Sequence, residues 1–459
     1  MSEHCGYVVK VEKLRPHTNA DKLQIATFFG NDTCVNLETT LGDVGIYFPS
    51  DLQLSEEFCV ENHMCRKKPD GTPDTGYLEP DKRNIKAIKL RGEKSDGVFM
   101  PLSCLAYTGV NLDDINVGDI ITVVNGHEIC KKYIPRGRNR NNFAKSNGNK
   151  TRKKHVPVAP LFTEHADTEQ LAYNLGAFKP GDEIEITLKM HGTSQRTAYL
   201  PILNGYKRTI WDKLFGREGT PVYDWDYVSG TRRTVLDDWD GGFYGSNAFR
   251  KQHHDKFVGK LRKGEEIYYE VVGFTDNGTS IMGKGNNKKL DKDFVKQYGE
   301  TTTFSYGCDC AEQAWREDRG QNPDKPHSDL YVYRMTMTNE DGDVVEYSPD
   351  FMRYRCEQMG VKCVPEFVHV VLPDASYFDE NHPVGEYVKE MAEQYYDGPD
   401  PVGKTHVREG VVVRIINRPK FCAYKHKNYS FKMLEGLIKE TAEAPDMEEA
   451  QDAANDCDE

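Results

Sequence analysis

Lys189 stands where an alternating, strand-like segment ends. The segment EIEITLK finishes at Lys189 and is followed at once by Met190, His191 and Gly192. A lysine that leaves a strand into a glycine turn is held rigidly and can project into a cleft. An amine is a nucleophile only when it is deprotonated, and desolvation or a nearby positive charge favours that form. Taken alone, a lysine before a turn is an ordinary surface residue.

Further charged residues follow in similar strand-like contexts. Glu270 lies in the apolar segment EIYYEVVGF, and Glu409 opens EGVVVRI. Lys425 and Lys427 are two apart in FCAYKHK, so a strand places both ammonium groups on one face. Together with Lys189, these groups are the parts needed to hold a nucleoside triphosphate and divalent cations. The lysines would neutralise charge on the α-phosphate, and the carboxylates would bind cations and ribose hydroxyls.

Five short motifs occur in a fixed order over about half of the chain. They are KMHG (189 to 192), YYEVVGF (268 to 274), LYVYRM (330 to 335), EGVVV (409 to 413) and KHK (425 to 427). In this order the sequence resembles the covalent nucleotidyltransferases, which comprise DNA ligases, RNA ligases and mRNA capping enzymes. The resemblance implies that Lys189 forms a covalent lysyl-nucleotide.

Details of the motifs narrow the resemblance to RNA ligases. KxHG, with His191, is similar to RNA ligases, whereas the other families more often carry Asp there. Thr193, Ser194 and Arg196 extend the similarity. The N-terminal third resembles the oligonucleotide-binding barrel that precedes the transferase domain in the RNA ligase 5 group, known from Deinococcus and Naegleria; the segments are RPHTNADKLQIATF, LGDVGIYFPSDLQLSE, IKAIKLRGEKSDGVFMPL and VGDIITV. Only about 30 residues follow KHK, which also fits that group because DNA ligases and capping enzymes usually carry a C-terminal barrel.

The resemblance implies an ATP-dependent RNA ligase, active in RNA nick sealing or repair, that uses Mg²⁺ or Mn²⁺. It implies catalytic roles for Lys189, Lys425 and Lys427, and metal binding by Glu270 and Glu409. The implied nucleotide-binding residues are His191, Gly192, Arg196, Glu270, Tyr333, Glu409 and Arg232. Arg233 is the alternative to Arg232, and Tyr333 either stacks on adenine or packs in the core. The rival functions are a DNA ligase, a capping guanylyltransferase, and a non-catalytic nucleic-acid-binding protein on a ligase scaffold.

The pattern of strand-like and helix-like segments predicts an α+β protein. Short β-branched segments in the first 130 residues indicate a small barrel, assigned by the resemblance as an oligonucleotide-binding (OB) fold. Mixed strands and helices follow without regular alternation, as in a nucleotidyltransferase domain of antiparallel sheets flanked by helices. The predicted divisions are residues 1–130 (barrel), 131–156 (basic linker), 157–438 (nucleotidyltransferase domain) and 439–459 (acidic disordered tail).

Charge is segregated along the 459 residues, whose formal net charge is -13. The last 20 residues hold nine carboxylates and no base, too polar to bury a core. Residues 131–154 hold ten basic residues and no acid. This linker either contacts the phosphate backbone of RNA, where counterion release would be concentrated, or is a solvated spacer. The residues predicted to bind nucleic acid are Arg136, Arg138, Arg140, Arg152, Lys153 and Lys154.

The hydropathy and the cysteine content indicate the compartment in which the protein works. No apolar run approaches the length of a membrane span, and the 12 cysteines are scattered singly, which is typical of reduced thiols. We therefore expect a monomer in the cytoplasm or another reducing intracellular compartment, the host cytoplasm if the protein is viral. Cys308 and Cys310 form one Cys-x-Cys without a matching pair, a weak indication of zinc. The polar surroundings of His253 and His254 predict a solvated surface.

Overall fold

The computed structural model describes residues 4–134, 159–165, 168–217, 219–232, 234–236, 239, 244, 246–290, 292–310 and 327–441, with side chains to residue 438. The chain forms two compact units. The first contains Met1–Pro135 and Tyr429–Glu440, and the second contains Arg136–Asn428 and Thr441–Glu459. None of the helices in these described ranges is long and apolar enough to cross a bilayer.

The first unit is built from short strands. The strands are β1 Gly6–Lys10, β2 Leu14–Pro16, β3 Leu23–Phe28, β4 Asn31–Asn36, β5 Val44–Phe48, β6 Leu52–Leu54, β7 Ala87–Leu90, β8 Glu93–Asp96, β9 Val98–Pro101, β10 Ile120–Ile121, β11 Val123–Val124, β12 His127–Glu128 and β13 Cys130–Lys132. The helices are α1 Glu56–Glu61 and the 3-10 turns Leu102–Thr108 and Leu112–Asp114.

These strands form several antiparallel sheets rather than one continuous ladder. The largest has the order β10-β1-β5-β9, and β2-β3-β4 form a second. Helix α1 starts where the side chain of Ser55 accepts a hydrogen bond from the Phe58 N–H. Phe58 then packs into an apolar core with Phe48, Leu52 and Ile46. That core explains why the short segments pair although each is too short to be stable alone.

The second unit contains longer strands. They are β14 Glu169–Gln170, β15 Glu183–Lys189, β16 Thr193–Lys207, β17 Thr220–Gly230, β18 Glu265–Gly273, β19 Gly285–Asn286, β20 Thr301–Thr302, β21 Ser328–Thr338, β22 Val344–Glu346, β23 Lys362–Cys363, β24 Glu366–Val371, β25 Gly410–Ile415 and β26 Cys422–Lys427. The helices are α2 Ile210–Leu214, α3 Ala248–Asp255, α4 Lys292–Tyr298, α5 Pro349–Met359 and α6 Val384–Glu393, with 3-10 turns at Leu171–Tyr173, Leu175–Ala177, Asn287–Lys289 and Ala375–Tyr377.

Two sheets dominate this unit. One has five strands in the order β14-β26-β25-β15-β24. The other has six strands: five follow the order β17-β16-β18-β21-β22, and the sixth, β23, pairs with β21. Helix α5 shows clear local signals, because the Ser348 side chain caps its start and Gly360 ends it in a left-handed conformation. Met352 and Cys356 on its inner face join the core beneath the six-stranded sheet.

The last helix, α7 Tyr429–Thr441, returns to the first unit. The Tyr429 hydroxyl accepts a hydrogen bond from the Ser95 N–H at 3.1 Å and donates one to the carbonyl of Ile88. Lys432 forms an ion pair of 2.6 Å with Asp96. The residues after KHK therefore complete the N-terminal unit.

The α+β class with largely antiparallel sheets is confirmed. The surface assignment of His253 and His254 is wrong, because they retain only 2% and 9% exposure. His253 Nε2 lies 2.8 Å from the Ser328 hydroxyl, and burial lowers the pKa of His253 to about 3. Helix α3 turns both imidazoles inward.

Candidate active site

The turn Lys189 to Gly192 connects the two large sheets. Lys189 ends β15 opposite Gly410 of β25, and Thr193 starts β16 opposite Val271 of β18. The register therefore brings Glu409, which precedes Gly410, to one side of the turn. It brings Glu270, paired with Ser194, to the other side.

Glycine is required on both sides of this turn. A Cβ on Gly192 would lie 2.4 Å from the carbonyl oxygen of Val271 and 2.9 Å from Cγ of Glu270. Gly410 has a φ of +147°, and its Cβ would lie 2.1 Å from the carbonyl oxygen of His426. The close approach of backbones that assembles the site leaves no room for a side chain at either position.

Glu409 is a buried carboxylate surrounded by positive charge. Its Oε1 lies 2.7 Å from Nζ of Lys189 and 3.5 Å from Nζ of Lys427, and its Oε2 lies 3.4 Å from Nδ1 of His191. Burial favours the neutral acid, but Lys189, Lys427 and His191 outweigh burial and hold the pKa of Glu409 well below its ordinary value. Glu409 is thus an ionised anchor for both lysines.

His191 is fixed by neighbours outside the motifs. Its backbone N–H donates to the Tyr306 hydroxyl at 2.7 Å. Its ring packs edge-on against Phe304, with centroids 4.6 Å apart. Buried His406 packs against both aromatic rings. The sequence did not predict these contacts with His191, because residues 304–306 and 406 belong to no motif.

One face of the five-stranded sheet lines a pocket next to Lys189. Glu185 and Thr187 precede Lys189 at two-residue spacing and share its face of β15. Thr187 pairs with Val412, and Glu185 pairs with Arg414. The lining consists of His165, Thr168, Glu185, Thr187, Leu188, Lys189, Met190, Ser194, Arg232, Glu270, Tyr333, Val364, Val412, Arg414, Phe421 and Ala423.

The KHK strand borders the same face. Ala423, a lining residue, pairs with Arg414, Lys425 pairs with Val412, and Lys427 pairs with Gly410. Because residues 423, 425 and 427 alternate with a period of two, both lysines lie on the face of Ala423. The expected same-face lysine pair therefore lies on the face of β26 that carries Ala423, and Lys427 contacts Glu409, although neither lysine is itself a lining residue of the pocket.

The far end of the pocket is aromatic and cationic. Arg334 and Arg414 lie over the ring of Phe421, at 4.2 and 5.2 Å from its centroid. His165 accepts a hydrogen bond of 3.0 Å from Arg334. Burial and the charges of Arg334 and Arg232 hold the pKa of His165 well below its ordinary value, so its imidazole is neutral. The alternation of EIEITLK could have identified Glu185 and Thr187 beforehand, but no motif marked His165 or Phe421.

The remaining predicted nucleotide-binding residues occupy different positions. Tyr333 and Arg232 line the pocket, and the Tyr333 hydroxyl lies 3.2 Å from the Ser194 hydroxyl. Arg196 is 2% exposed and is not a lining residue. It donates to Glu266 at 2.9 Å and stacks on Phe162, with its guanidinium carbon 3.7 Å from the centroid. Arg196 thus supports the strand that leads to Arg232.

Several predictions lie outside the described residues. These are Arg233 and the linker residues Arg136, Arg138, Arg140, Arg152, Lys153 and Lys154. Within the described ranges, no three or more His, Cys, Asp or Glu side chains form a metal-binding group. Burial raises the pKa of the Cys308 thiol to about 12, as in an inert core cysteine.

Comparison with solved structures gives the fold. A lysine-to-methionine mutant of the Naegleria gruberi RNA ligase with AMP and Mn superposes with a TM-score of 0.54 at 15% identity, covering 93% of this chain and 97% of that chain. A lysine-to-alanine mutant with ATP and Mn gives 0.53 at 15% identity, covering 93% and 98%. The chain has the fold of this RNA ligase.

Another structure of that ligase, with PPi, gives a TM-score of 0.51 at 15% identity, covering 93% of this chain and 97% of that chain. No protein-family model and no curated protein matches the sequence. The RNA-ligase fold expected from the five motifs is confirmed.

Proposed function

We propose that the protein is an ATP-dependent RNA ligase that joins a 3′-hydroxyl to a 5′-phosphate. The observation that supports this most is the placement of Lys189 between Glu409 and a pocket that also contains Glu270, Arg232 and Tyr333. The solved structures with a similar fold are of an RNA ligase, and they contain AMP, ATP or PPi.

The reaction has three transfers. Lys189 Nζ attacks the α-phosphorus of ATP, so that an N–P bond forms and the bond to pyrophosphate breaks. The AMP then passes to an oxygen of the RNA 5′-phosphate, which frees the lysine. The RNA 3′-hydroxyl finally attacks the activated 5′-phosphorus, and AMP leaves.

In this proposal Glu409 orients Lys189 rather than acting as its base. Its carboxylate lies 2.7 Å from the lysine nitrogen, yet its depressed pKa makes it a poor proton acceptor. An amine attacks through its lone pair. A second positive charge near Glu409 would compensate the carboxylate once the lysine nitrogen turns to the phosphorus.

A divalent cation bound with ATP would supply that charge and neutralise the leaving pyrophosphate. Glu270 and Glu409 would hold it, and the strand register that brings them to opposite sides of the turn supports this role. Two carboxylates fit Mg²⁺ or Mn²⁺, because such ions keep several waters and take their remaining ligands from phosphates.

The other lining residues suit the remaining parts of the nucleotide. Lys425 and Lys427 present cations beside the lysine for the phosphates. Tyr333 offers an aromatic face to the base, and Arg232 is placed for ribose or phosphate. His191 and Gly192 hold the turn, and Arg196 would contribute by supporting the strand beneath it.

We also propose an OB-type barrel in residues 1–130, which would grip RNA by its backbone together with the basic linker 131–156. The sequence predicts a transferase domain of residues 157–438 and an acidic disordered tail of residues 439–459. Because Tyr429–Glu440 fold with the first unit, we propose instead that the transferase domain ends at Asn428 and that the acidic tail follows helix α7. We propose a monomer that works in a reducing intracellular compartment, where the cysteines of the described ranges, none of which forms a disulfide, stay reduced.

Nucleotide and end specificity test this proposal. The protein should form a covalent adduct with α-labelled ATP but not GTP, and should then seal nicked duplexes that carry RNA on the 3′-hydroxyl side. A GTP adduct would indicate a capping enzyme, and sealing of all-DNA nicks with equal efficiency would indicate a DNA ligase. Absence of any adduct would leave a nucleic-acid-binding protein on a ligase scaffold.

A further inference from the structure

The β16–β17 hairpin extends beyond the six-stranded sheet. Strand β16 pairs with β18 only from Thr193 to Ala198, whereas it continues to pair with β17 as far as Lys207. The outer part is therefore a two-stranded ribbon. At its end, the side chains from Tyr206 to Leu214 are exposed, except for Asp212, which is half-buried. An isolated two-stranded ribbon is only marginally stable in water.

The tip is the short helix α2, which is held in shape by a capping box between Thr209 and Asp212. It presents two stacked aromatic rings, Trp211 and Phe215, with centroids 6.0 Å apart and planes inclined by 13°. These side chains are 67% and 63% exposed, and together with Ile210 and Leu214 they form a contiguous apolar patch rather than a single exposed residue. The guanidinium of Arg217 lies 5.8 Å from the Phe215 ring.

The charge around these rings is mainly positive. Residues 206–222 include the bases Lys207, Arg208, Lys213 and Arg217 and the acids Asp212 and Glu218. Asp212 is engaged in the cap, where it accepts hydrogen bonds from the Thr209 N–H at 2.9 Å and the Thr209 hydroxyl at 2.6 Å. The tip therefore offers flat aromatic faces bordered by cations.

We propose that this tip, made of the described residues 206–217 and 219–222, is an RNA-docking site separate from the active site. Bases stack on exposed aromatic rings without regard to sequence, and nearby lysine and arginine side chains hold the phosphates. A protein partner would also cover the exposed Ile210 and Leu214, but the cations around the parallel rings favour a polyanion with flat bases. This inference rests on the proposed ligase function, which requires RNA to be held across a break.

The strand geometry predicts where on the RNA this contact falls. Strand β16 begins beside the nucleophile turn and has 15 residues, so at about 3.3 Å per residue the tip lies up to about 50 Å from the turn. An RNA duplex is A-form and rises less per base pair than the roughly 3.4 Å of B-DNA, so this distance corresponds to about 15 base pairs or more from the break. Only duplexes longer than that on one side can contact both sites.

Substrate length therefore gives the test. Trp211→Ala/Phe215→Ala and, separately, Lys207→Gln/Lys213→Gln/Arg217→Gln are compared with wild type on nicked RNA duplexes with arms of about 25 or about 6 base pairs. On the long duplex we expect each variant to raise Kd and KM for RNA about tenfold, whereas values on the short duplex change less than about twofold. Lysyl-AMP formation stays at the wild-type level.

Tyr377→Ala is the matched control, because Tyr377 is an aromatic residue of the same unit with 59% exposure. This variant should leave Kd and KM unchanged for both duplexes. Equal effects on long and short duplexes, or no effect on either, overturn the proposal. So does unchanged RNA affinity accompanied by a loss of self-association in sedimentation, which would make the tip a protein interface. RNA affinity is measured without ATP, so the docking proposal is tested even if the protein is not a ligase. Failure of the wild-type protein to form lysyl-AMP would refute the ligase function separately.

Discussion

Replacing Glu409 by glutamine removes the charge that holds two lysines while keeping the size of the side chain. Lys189 and Lys427 lie 2.7 and 3.5 Å from the lost oxygen. At an effective dielectric constant of about 20, each attraction is about 5 to 6 kcal/mol before desolvation is subtracted. Removing one member of a buried ion cluster costs about 3 to 5 kcal/mol, and the partial exposure of Lys189 favours the lower end, about 3 kcal/mol.

A double-mutant cycle isolates this interaction. We expect Glu409→Gln to cost at least about 1.5 kcal/mol less in a Lys189→Met background than in wild type, because one of the stranded charges is then gone. Urea unfolding followed by tryptophan fluorescence measures this, since all 4 tryptophans fall between residues 211 and 315 and report on the second unit.

The pH dependence provides a second check. A carboxyl whose pKa is depressed by folding stabilises the folded state above its unfolded pKa of about 4.3, and that contribution is lost as the pH falls further. The difference between wild type and Glu409→Gln should therefore shrink below about pH 4. The electrostatic account is refuted if the two mutations are additive and the difference does not change with pH.

Three further predictions concern other parts of the protein. Gly192→Ala should abolish lysyl-AMP formation while the first unit still unfolds normally by calorimetry, because its Cβ would clash with the Val271 carbonyl; normal adduct formation would contradict the turn geometry. Burial raises the pKa of Asp400 to about 7, so its folding contribution is favourable at low pH and is lost as the pH rises from about 4 to 7. Asp400→Asn should therefore become more stable than wild type by up to about 4 kcal/mol at pH 8 but not at pH 4, and a constant difference in urea unfolding would exclude this. Neutralising the linker should flatten the dependence of log RNA affinity on log salt by somewhat under about one unit per lost phosphate contact, and an unchanged slope would leave a solvated spacer; the residues changed to Gln are Arg136, Arg138, Arg140, Arg152, Lys153 and Lys154.

Strand periodicity accounts for most of what the sequence predicted correctly. The two-residue spacing of Lys425 and Lys427 was sufficient to place both on one face of β26. The same rule applied to EIEITLK would have added Glu185 and Thr187 to the pocket. Local signals such as Ser348, Pro349 and Gly360 likewise mark helix boundaries directly.

Contacts distant in sequence could not be predicted in this way. The positions of Tyr306 and His406 behind His191 depend on loops whose path follows from tertiary packing. The return of α7 to the first unit depends on Asp96 and Ser95, more than 300 residues away. His253 and His254 were misassigned because their charged neighbours concealed an inward helix face.

Covalent labelling of the protein by α-labelled ATP shows whether Lys189 is the nucleophile. We expect wild type to acquire one acid-labile AMP adduct that maps to Lys189 by peptide mass spectrometry. Lys189→Ala should acquire none, yet still seal pre-adenylylated RNA in part, because only the first transfer needs the amine. An adduct that persists in Lys189→Ala, or that maps to another lysine, would contradict the account.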